Sequence, residues 1–153
     1  MKERFKLFTV LISKISRSIR KIKTEEVCEY NLKSTHVSCL YHLYSSKTLT
    51  ATELCDLCCE DKSSISRSLE FLENNNFLIC ETTLKKRYNT LFKLTEKGLK
   101  IGKIISEKIN KILNEASLGL TEENRNIMYK SLTLISNNLQ KICNKYNGEI
   151  YGN

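Results

Sequence analysis

The chain opens with apolar residues that recur every three or four positions between residues 5 and 23, with basic side chains between them. A turn of α-helix takes about 3.6 residues, so this period gathers the apolar side chains on one face. The pattern predicts an amphipathic first helix. Residues 24–33 are polar and acidic without a clear period, and residues 34–46 predict a second, short and mostly buried helix.

Two further short helices are indicated by capping residues. Thr50 and Glu53 match a capping box, in which the hydroxyl and the carboxylate each satisfy a backbone N–H that lacks a partner in the first helical turn. Asp61 can cap a fourth helix in the same way. Residues 74–76 are all asparagine, which tolerates the left-handed conformation found after many helices. The apolar face of this fourth helix consists of Ile65, Leu69 and Leu72.

A β-hairpin and two long helices are predicted in the second half of the chain. Residues 77–83 and 90–95 favour short strands on either side of a basic loop. Thr95 can cap a long helix from residue 96 to about residue 116, and Thr121 can cap another. The apolar positions of this last helix have heptad spacing and need a helical partner. From residue 147 onward a frayed tail is expected. The heptad positions are Met128, Leu132, Ile135, Leu139, Ile142 and Tyr146.

The balance of charge favours a polyanionic partner. Lys and Arg number 25 against 17 Asp and Glu, a net charge of +8. Residues 1–23 hold eight basic and one acidic side chain, which suits contact with DNA phosphates or lipid head groups but equally suits the solvated face of a helix. The apolar runs are too short to span a bilayer and no signal-peptide pattern is found, so we expect a cytoplasmic protein that does not bind membranes.

The seven cysteines are not spaced as a secreted disulfide framework, and reduced thiols are expected. Cys55, Cys58 and Cys59 have the spacing that groups side chains on a helix, and Cys80 falls on the neighbouring strand. A redox switch or a thiolate metal site is one interpretation of this group. Packing in the core is the other, and no metal or cofactor is expected. No motif for catalysis is present, so the protein is not expected to be an enzyme.

The order of these elements resembles the MarR family of bacterial transcriptional regulators, over about residues 5–146. Three ordered segments carry the resemblance: residues 54–67 (LCDLCCEDKSSISR), 72–78 (LENNNFL) and 91–98 (LFKLTEKG). The resemblance implies a mainly α fold, a winged helix-turn-helix with a small β-hairpin wing and long N- and C-terminal dimerisation helices. It divides the protomer into an N-terminal dimerisation helix and connector (1–32), a DNA-binding region (33–98) and C-terminal dimerisation helices (99–153).

The resemblance further implies a homodimer that binds a pseudo-palindromic operator in double-stranded DNA, as a repressor that responds to a small-molecule effector. Hydroxyl and basic side chains on the fourth helix suit base edges and phosphates, and the third helix could meet a phosphate with its N-terminal amides. The DNA-binding residues expected are Thr50, Thr52, Lys62, Ser63, Ser64, Ser66, Arg67, Lys85, Lys86 and Arg87. The dimerisation residues expected are Phe8, Leu11, Ile15, Ile19, Leu132, Ile135, Leu139 and Ile142.

The sequence departs from the family pattern in the wing and in two turns. Where the family usually has Asp-x-Arg, this chain has Lys86 and Tyr88, so Arg87 matches only if the loop is shifted by one residue. Cys59 and Asn76 replace glycines of the family. Two alternatives therefore stay open. One is a winged-helix module that binds a protein instead of DNA, for which acidic residues 60 and 70 beside the proposed DNA face are the evidence. The other is a thiol-based redox-sensing regulator.

Overall fold

The computed structural model describes residues 2–81 and 90–150, and within these ranges the side chains of all but residues 2, 5 and 147–150. The predicted fold class is confirmed, since the described chain is mainly helical with one small antiparallel sheet. The elements in chain order are α1 (Lys2–Glu25), a 3₁₀ turn (Cys28–Tyr30), α2 (Ser34–Ser46), β1 (Thr48–Thr50), α3 (Ala51–Cys58), α4 (Lys62–Asn74), β2 (Leu78–Glu81), β3 (Leu91–Leu94), α5 (Glu96–Ala116) and α6 (Glu122–Ile150).

Two expectations about the elements are wrong. Strand β1 was not expected, because three residues are too few to show a period; it exists because Thr48 to Thr50 pair with β3. The expected frayed tail after residue 146 is instead helical, since α6 continues to Ile150. Gly148 lowers helix propensity by only about 1 kcal/mol, which a helix of 29 residues tolerates.

The sheet has the order β1-β3-β2, and both pairings are antiparallel. In the central strand, Lys93 lies opposite Thr48 on one side and Ile79 on the other. The Lys93 ammonium group forms an ion pair with the Glu81 carboxylate. Strands β2 and β3 are the two strands of the predicted hairpin, and its basic tip, residues 84–89, lies outside the described residues.

The chain divides into two compact units, Met1–Lys111 and Ile112–Asn153. The first unit holds an apolar core in which α2, α3 and α4 pack on one another and on the sheet. Each of these three helices places leucine or isoleucine in the core, and α5 contributes from its N-terminal half. Fully buried side chains include Leu40, Leu43, Leu54, Ile65, Leu72, Leu78 and Ile105. Within the described ranges, no helix is long and apolar enough to cross a membrane.

The acidic connector between α1 and α2 is held by a lysine of α5. Lys108 Nζ donates a hydrogen bond of 2.6 Å to the Glu26 carbonyl oxygen. The same ammonium group lies 3.6 Å from the Glu26 carboxylate and 3.8 Å from that of Glu29. Val27 and Leu32 of this connector are buried. The stretch without a clear period is therefore an ordered part of the first unit.

The first turn of α5 approaches the start of β2 so closely that only glycine fits. A Cβ atom added at Gly98 would lie 1.9 Å from the Phe77 carbonyl oxygen and 3.2 Å from Leu94 Cβ. That carbonyl also accepts a hydrogen bond of 3.1 Å from the Thr95 N–H. Because the obstructing atom belongs to the backbone, the clash could be relieved only by moving α5 away from the sheet.

We expect Gly98→Ala to destabilise the fold by at least about 1–3 kcal/mol, because overpacking at a rigid contact forces the backbone to shift. Urea unfolding followed by circular dichroism measures this loss. Lys103→Ala, an exposed substitution in the same helix, is the control and should change the free energy of unfolding by less than about 0.5 kcal/mol. Equal midpoints for the two variants would contradict the close packing at Gly98.

Candidate nucleic-acid interface

Helix α3 begins with the predicted capping box. The Glu53 N–H donates to Thr50 Oγ1 at 3.2 Å, and the Thr50 N–H donates to Glu53 Oε2 at 2.7 Å. The Thr50 hydroxyl donates to the same carboxylate oxygen at 2.8 Å. These bonds stabilise the charged carboxylate and hold the pKa of Glu53 below its usual value. Thr50 therefore caps α3, while Thr52 lies exposed in its first turn.

The turn from α3 to α4 depends on a left-handed residue. Cys59 has φ 53° and ψ 44°, and its N–H donates to the Asp56 carbonyl at 3.4 Å. The next amide, of Glu60, donates to the Cys55 carbonyl at 3.2 Å. A side chain is disfavoured in this backbone region, which explains why glycine is usual here. Cys59 thus lies at the C-cap of α3, in the turn where the resemblance to the family places a glycine, and not on the helix with Cys55 and Cys58.

Helix α4 begins at the predicted cap, Asp61. The Ser64 N–H donates to Asp61 Oδ1 at 2.8 Å and the Ser64 hydroxyl donates to Oδ2 at 3.2 Å. The hydrogen bond from the Ser64 backbone is the main reason why the pKa of Asp61 lies below its usual value, and the charge of Arg67 contributes. The aspartate therefore fixes both the start of α4 and the orientation of Ser64.

Helix α4 has one buried and one exposed face. Ile65, Leu69 and Leu72 are buried, as their spacing predicted. The opposite face exposes a continuous polar surface around a shallow depression. Within the described part of the chain, the Ser63 and Ser66 hydroxyls of this face have no hydrogen-bond partner. Arg67 makes a long contact of 3.5 Å to Ser64 Oγ, which leaves most of its five N–H donors available. The depression is lined by Lys62, Ser63, Ser66 and Arg67.

Two open cavities flank α4. One, of about 370 Å³, lies between the first half of α4 and the start of α2, where it is lined by polar residues including Lys33 and Thr35. The other, of about 570 Å³, lies between α4, the first turn of α3 and Phe92 of the sheet. Residues of the exposed α4 face line both cavities. A small molecule bound in either cavity would therefore contact the same helix that presents the polar surface.

His36 lines the first cavity. Its ring stacks on Phe71 of α4 with centroids 4.2 Å apart, and only 5% of the residue is exposed. Burial, together with the charge of Lys33, lowers the pKa of His36. Nδ1 accepts a hydrogen bond of 3.1 Å from the Lys33 N–H, so the neutral ring carries its proton on Nε2. The histidine is a packing residue that joins α2 to α4.

The remaining predicted site residues are distributed as follows. Lys85, Lys86 and Arg87 of the wing tip lie outside the described residues, so their role in DNA binding stays a prediction. Cys55 and Cys58 are partly buried on α3, and Cys80 is partly buried on β2. Among the described residues, no three His, Cys, Asp or Glu side chains come together in a way that could hold a metal ion. The eight predicted dimerisation residues are all exposed in the single chain.

Sequence reasoning missed Lys33 beside α4, and Cys39, which is fully buried in the core. Each lies in or next to α2, which β1 and α3 separate from α4 in the chain. At the start of α2 the Lys33 N–H donates to His36 Nδ1, but a lysine side chain cannot accept a hydrogen bond in return, so no complete capping box marks this position in the sequence. Nothing local distinguished Cys39 from an ordinary core residue.

Helices α2, α3 and α4 followed by the β2-β3 hairpin define a winged helix-turn-helix. No protein-family model and no curated protein sequence matches the chain. Solved structures do match. A MarR family transcriptional regulator from Listeria monocytogenes, in complex with a 26mer DNA, superimposes with a TM-score of 0.80 at 25% identity, over 93% of each chain.

Two further matches are more distant in sequence. A MarR family regulator from Neisseria meningitidis gives a TM-score of 0.80 at 14% identity, over 94% of this chain and 98% of that one. S. aureus MepR in its DNA-binding conformation gives 0.79 at 17% identity, over 86% of this chain and 98% of that one. The resemblance expected from the sequence is confirmed, and the chain has the winged-helix fold of the MarR family.

We expect the stability contributed by the Asp61 cap to depend on pH. The folded-state pKa is depressed, so the contribution is present above about pH 3.8, the ordinary aspartate value, and is lost as the pH falls through the folded pKa. Asp61→Asn keeps a capping oxygen but does not titrate. The difference in urea midpoint between wild type and Asp61→Asn should therefore shrink on acidification. A difference that stays constant down to about pH 2 would contradict an ionised cap.

Proposed function

We propose that the protein is a transcriptional regulator that binds double-stranded DNA, with α4 in the major groove. The observation that carries the proposal is the exposed face of α4, where the Ser63 and Ser66 hydroxyls lie beside the basic side chains of Lys62 and Arg67. Neither hydroxyl has a hydrogen-bond partner among the described residues. Arginine can pair bidentately with guanine, and serine can contact base edges or phosphates. The apolar face of the same helix packs in the core, and this packing fixes the position of the polar face.

The start of α3 supplies a second part of the proposed interface. Thr50 and Thr52 lie at the N-terminus of α3, where backbone amides and the helix dipole favour a phosphate. The Thr50 hydroxyl is already engaged with Glu53, so its proposed part is to position the helix start while Thr52 is exposed. Lys85, Lys86 and Arg87 are proposed to reach the DNA backbone or minor groove from the wing.

Comparison with solved complexes supports this proposal. The Listeria monocytogenes regulator was solved with DNA, and S. aureus MepR was also solved as a DNA complex, to which this chain is similar with a TM-score of 0.76 at 17% identity. Identity at this level supports the fold more strongly than any individual contact. The Lys62, Ser63, Ser64, Ser66 and Arg67 contacts are therefore proposed from the residues themselves.

We propose that the functional form is a homodimer. Apolar side chains on α1 and on α6 are 37–54% exposed in the single chain, at the positions predicted to form the dimer: Phe8, Leu11, Ile15, Ile19, Leu132, Ile135, Leu139 and Ile142. Exposed apolar surface of this extent is unusual for a monomer and indicates an interaction surface. A two-fold dimer would present two copies of α4 to a pseudo-palindromic operator.

We further propose that the protein is a cytoplasmic repressor and that a small-molecule effector controls it. The cavities of about 370 and 570 Å³ beside α4 are of a size that small ligands occupy. A ligand that binds one conformation of the protein more tightly than another favours that conformation. The affinity of the protein for the operator then changes by no more than the ratio of the ligand's two affinities. An effector bound beside α4 would thereby act on the helix proposed to read the DNA.

DNA binding should depend steeply on salt and on Arg67. A duplex from the region next to the protein's own gene, titrated in a fluorescence anisotropy assay, should lose affinity as salt rises because phosphate contacts release counterions. Arg67→Ala should cost about 1–3 kcal/mol, or roughly 5- to 150-fold in affinity. Lys103→Ala removes one positive charge from α5 and serves as the control, with little change expected.

Absence of binding at low salt, or the same loss for both variants, would overturn the proposed role of α4. A folded protein that binds none of the duplexes tested would instead favour the alternative that the protein is a winged-helix module that binds another protein. Glu60 and Glu70 near the α4 surface are the residues that support this alternative.

The dimer should depend on the heptad seam of α6. Leu139→Glu places a charge in the apolar face and should shift the protein from dimer to monomer in sedimentation equilibrium. Asn137→Glu introduces the same charge on the opposite side of α6, outside that face, and should leave the dimer intact. A wild-type chain that sediments as a monomer at micromolar concentration would contradict the proposed dimer.

A further inference from the structure

The cavity between α2 and α4 is lined by two buried polar side chains that lack partners. His36 and Ser68 are each 5% exposed, and both line this cavity of about 370 Å³. The Lys33 N–H occupies Nδ1 of His36. Neither the Nε2–H of His36 nor the Ser68 hydroxyl has a hydrogen-bond partner among the described residues. A buried donor of this kind costs free energy unless water or a ligand satisfies it.

Both donors can be reached from the cavity. In the described part of the chain, Arg125 Nε is the one side-chain nitrogen or oxygen that is fully enclosed without a partner, so the donors of His36 and Ser68 are not sealed in the core. The His36 ring is held by its stacking on Phe71, and Ser68 is held in α4. Helices α2 and α4 therefore each supply one fixed donor to the same space.

The lining of the cavity is basic and rich in hydrogen-bond donors. Lys33 and Arg67 bring two positive charges, and none of the lining residues is acidic. The nearby carboxylate of Asp61 is engaged by the N–H and the hydroxyl of Ser64. An anion with several acceptor oxygens is the ligand that such a lining favours. The lining residues are Asn31, Lys33, Thr35, His36, Ser64, Arg67, Ser68 and Phe71.

The N-terminus of α2 strengthens the preference for an anion. Its N-cap residue is Lys33, whose side chain makes no capping hydrogen bond because an ammonium group cannot accept one. The first backbone N–H groups of a helix have no partner within it, and the helix dipole places partial positive charge there. Helices α3 and α4 satisfy such groups with oxygens of Thr50 and Asp61. At α2 these donors stay available to a ligand, and phosphate suits such a site.

We propose that this cavity binds a phosphate of the DNA backbone, with Lys33, His36 and Ser68 as its donors. The proposal rests on the DNA-binding function proposed above, and Arg67 belongs both to the cavity and to the exposed face of α4. Contacts to phosphates fix the register of a protein on the duplex but do not read its sequence. The contact would therefore orient α2 and α4 together on the DNA. The cavity of about 570 Å³ is left for the proposed effector.

Ser68→Ala separates a binding role from a structural one. The substitution removes a buried hydroxyl without a partner and places a good helix former in α4, so the urea midpoint should stay the same or rise. The affinity for every duplex should nevertheless fall roughly 2- to 10-fold, because one hydrogen bond to the backbone is lost. Ser45→Ala is the control: it removes an exposed hydroxyl at the other end of α2 and should leave the affinity unchanged.

Lys33→Gln and modified duplexes test the charge of the occupant. Lys33→Gln should weaken binding equally for all sequences and reduce the slope of log affinity against log salt by about 1, whereas Lys103→Gln on α5 should not change the slope. In a duplex scanned with neutral methylphosphonate linkages, one position should weaken wild-type binding but have little further effect on Ser68→Ala. That position identifies the phosphate in the cavity, because two changes to one contact are not additive.

Titration of the protein with inorganic phosphate, followed by NMR at constant ionic strength, distinguishes the possible sources of the phosphate. Duplex binding that is unchanged in both Ser68→Ala and Lys33→Gln would overturn the site and leave the proposed role of α4 standing. Inorganic phosphate that shifts the His36 and Ser68 signals of a protein that binds no duplex would refute the proposed function and assign the cavity to a free phosphate-bearing molecule. Duplex binding that depends on both residues, with or without such shifts, supports the backbone phosphate.

Discussion

Burial of the apolar face of α4 is the interaction on which the rest of the winged-helix unit depends. Ile65, Leu69 and Leu72 are 1%, 5% and 0% exposed, and burial of such side chains contributes about 1.5–3 kcal/mol each. These contacts fix α4 against α2, α3 and β2. The polar face of α4 can be rigid because the other face is held. Serine and arginine side chains alone would supply no buried contacts, so they could not fix the position of the helix that carries them.

Short-range features of this arrangement were predictable because their causes lie within a few residues. The caps at Thr50 and Asp61 are confirmed by hydrogen bonds, as are those at Thr95 and Thr121, whose hydroxyls accept from Gly98 N–H at 3.1 Å and from Asn124 N–H at 3.2 Å. The left-handed residue after α4 is also confirmed, since Asn76 has φ 59°. In each case one side chain satisfies a backbone group three residues away or fits a backbone angle.

Features that depend on partners distant in the chain were not predictable in this way. Strand β1 is too short to be recognised without β3, and the stacking of His36 on Phe71 joins residues of two helices. The cysteine group shows the same limit most clearly. Spacing alone groups Cys55, Cys58 and Cys59 on a helix, but Cys59 adopts a left-handed conformation at the C-cap of α3, whereas Cys55 and Cys58 pack against the apolar core.

The α3–α4 turn connects the buried core to the exposed face of α4 in one short segment. Cys59 adopts a backbone conformation that costs free energy for a residue with a side chain, and it does so between the last turn of α3 and the Asp61 cap of α4. The strain persists because α3 is anchored by Leu54 and α4 by Ile65, both of them buried. A turn that is held by its two neighbours in this way transmits a displacement of one helix to the other, because dense cores resist continuous deformation. The orientation of α4 is therefore determined at the end of α3, where Cys59 sets the direction of the chain.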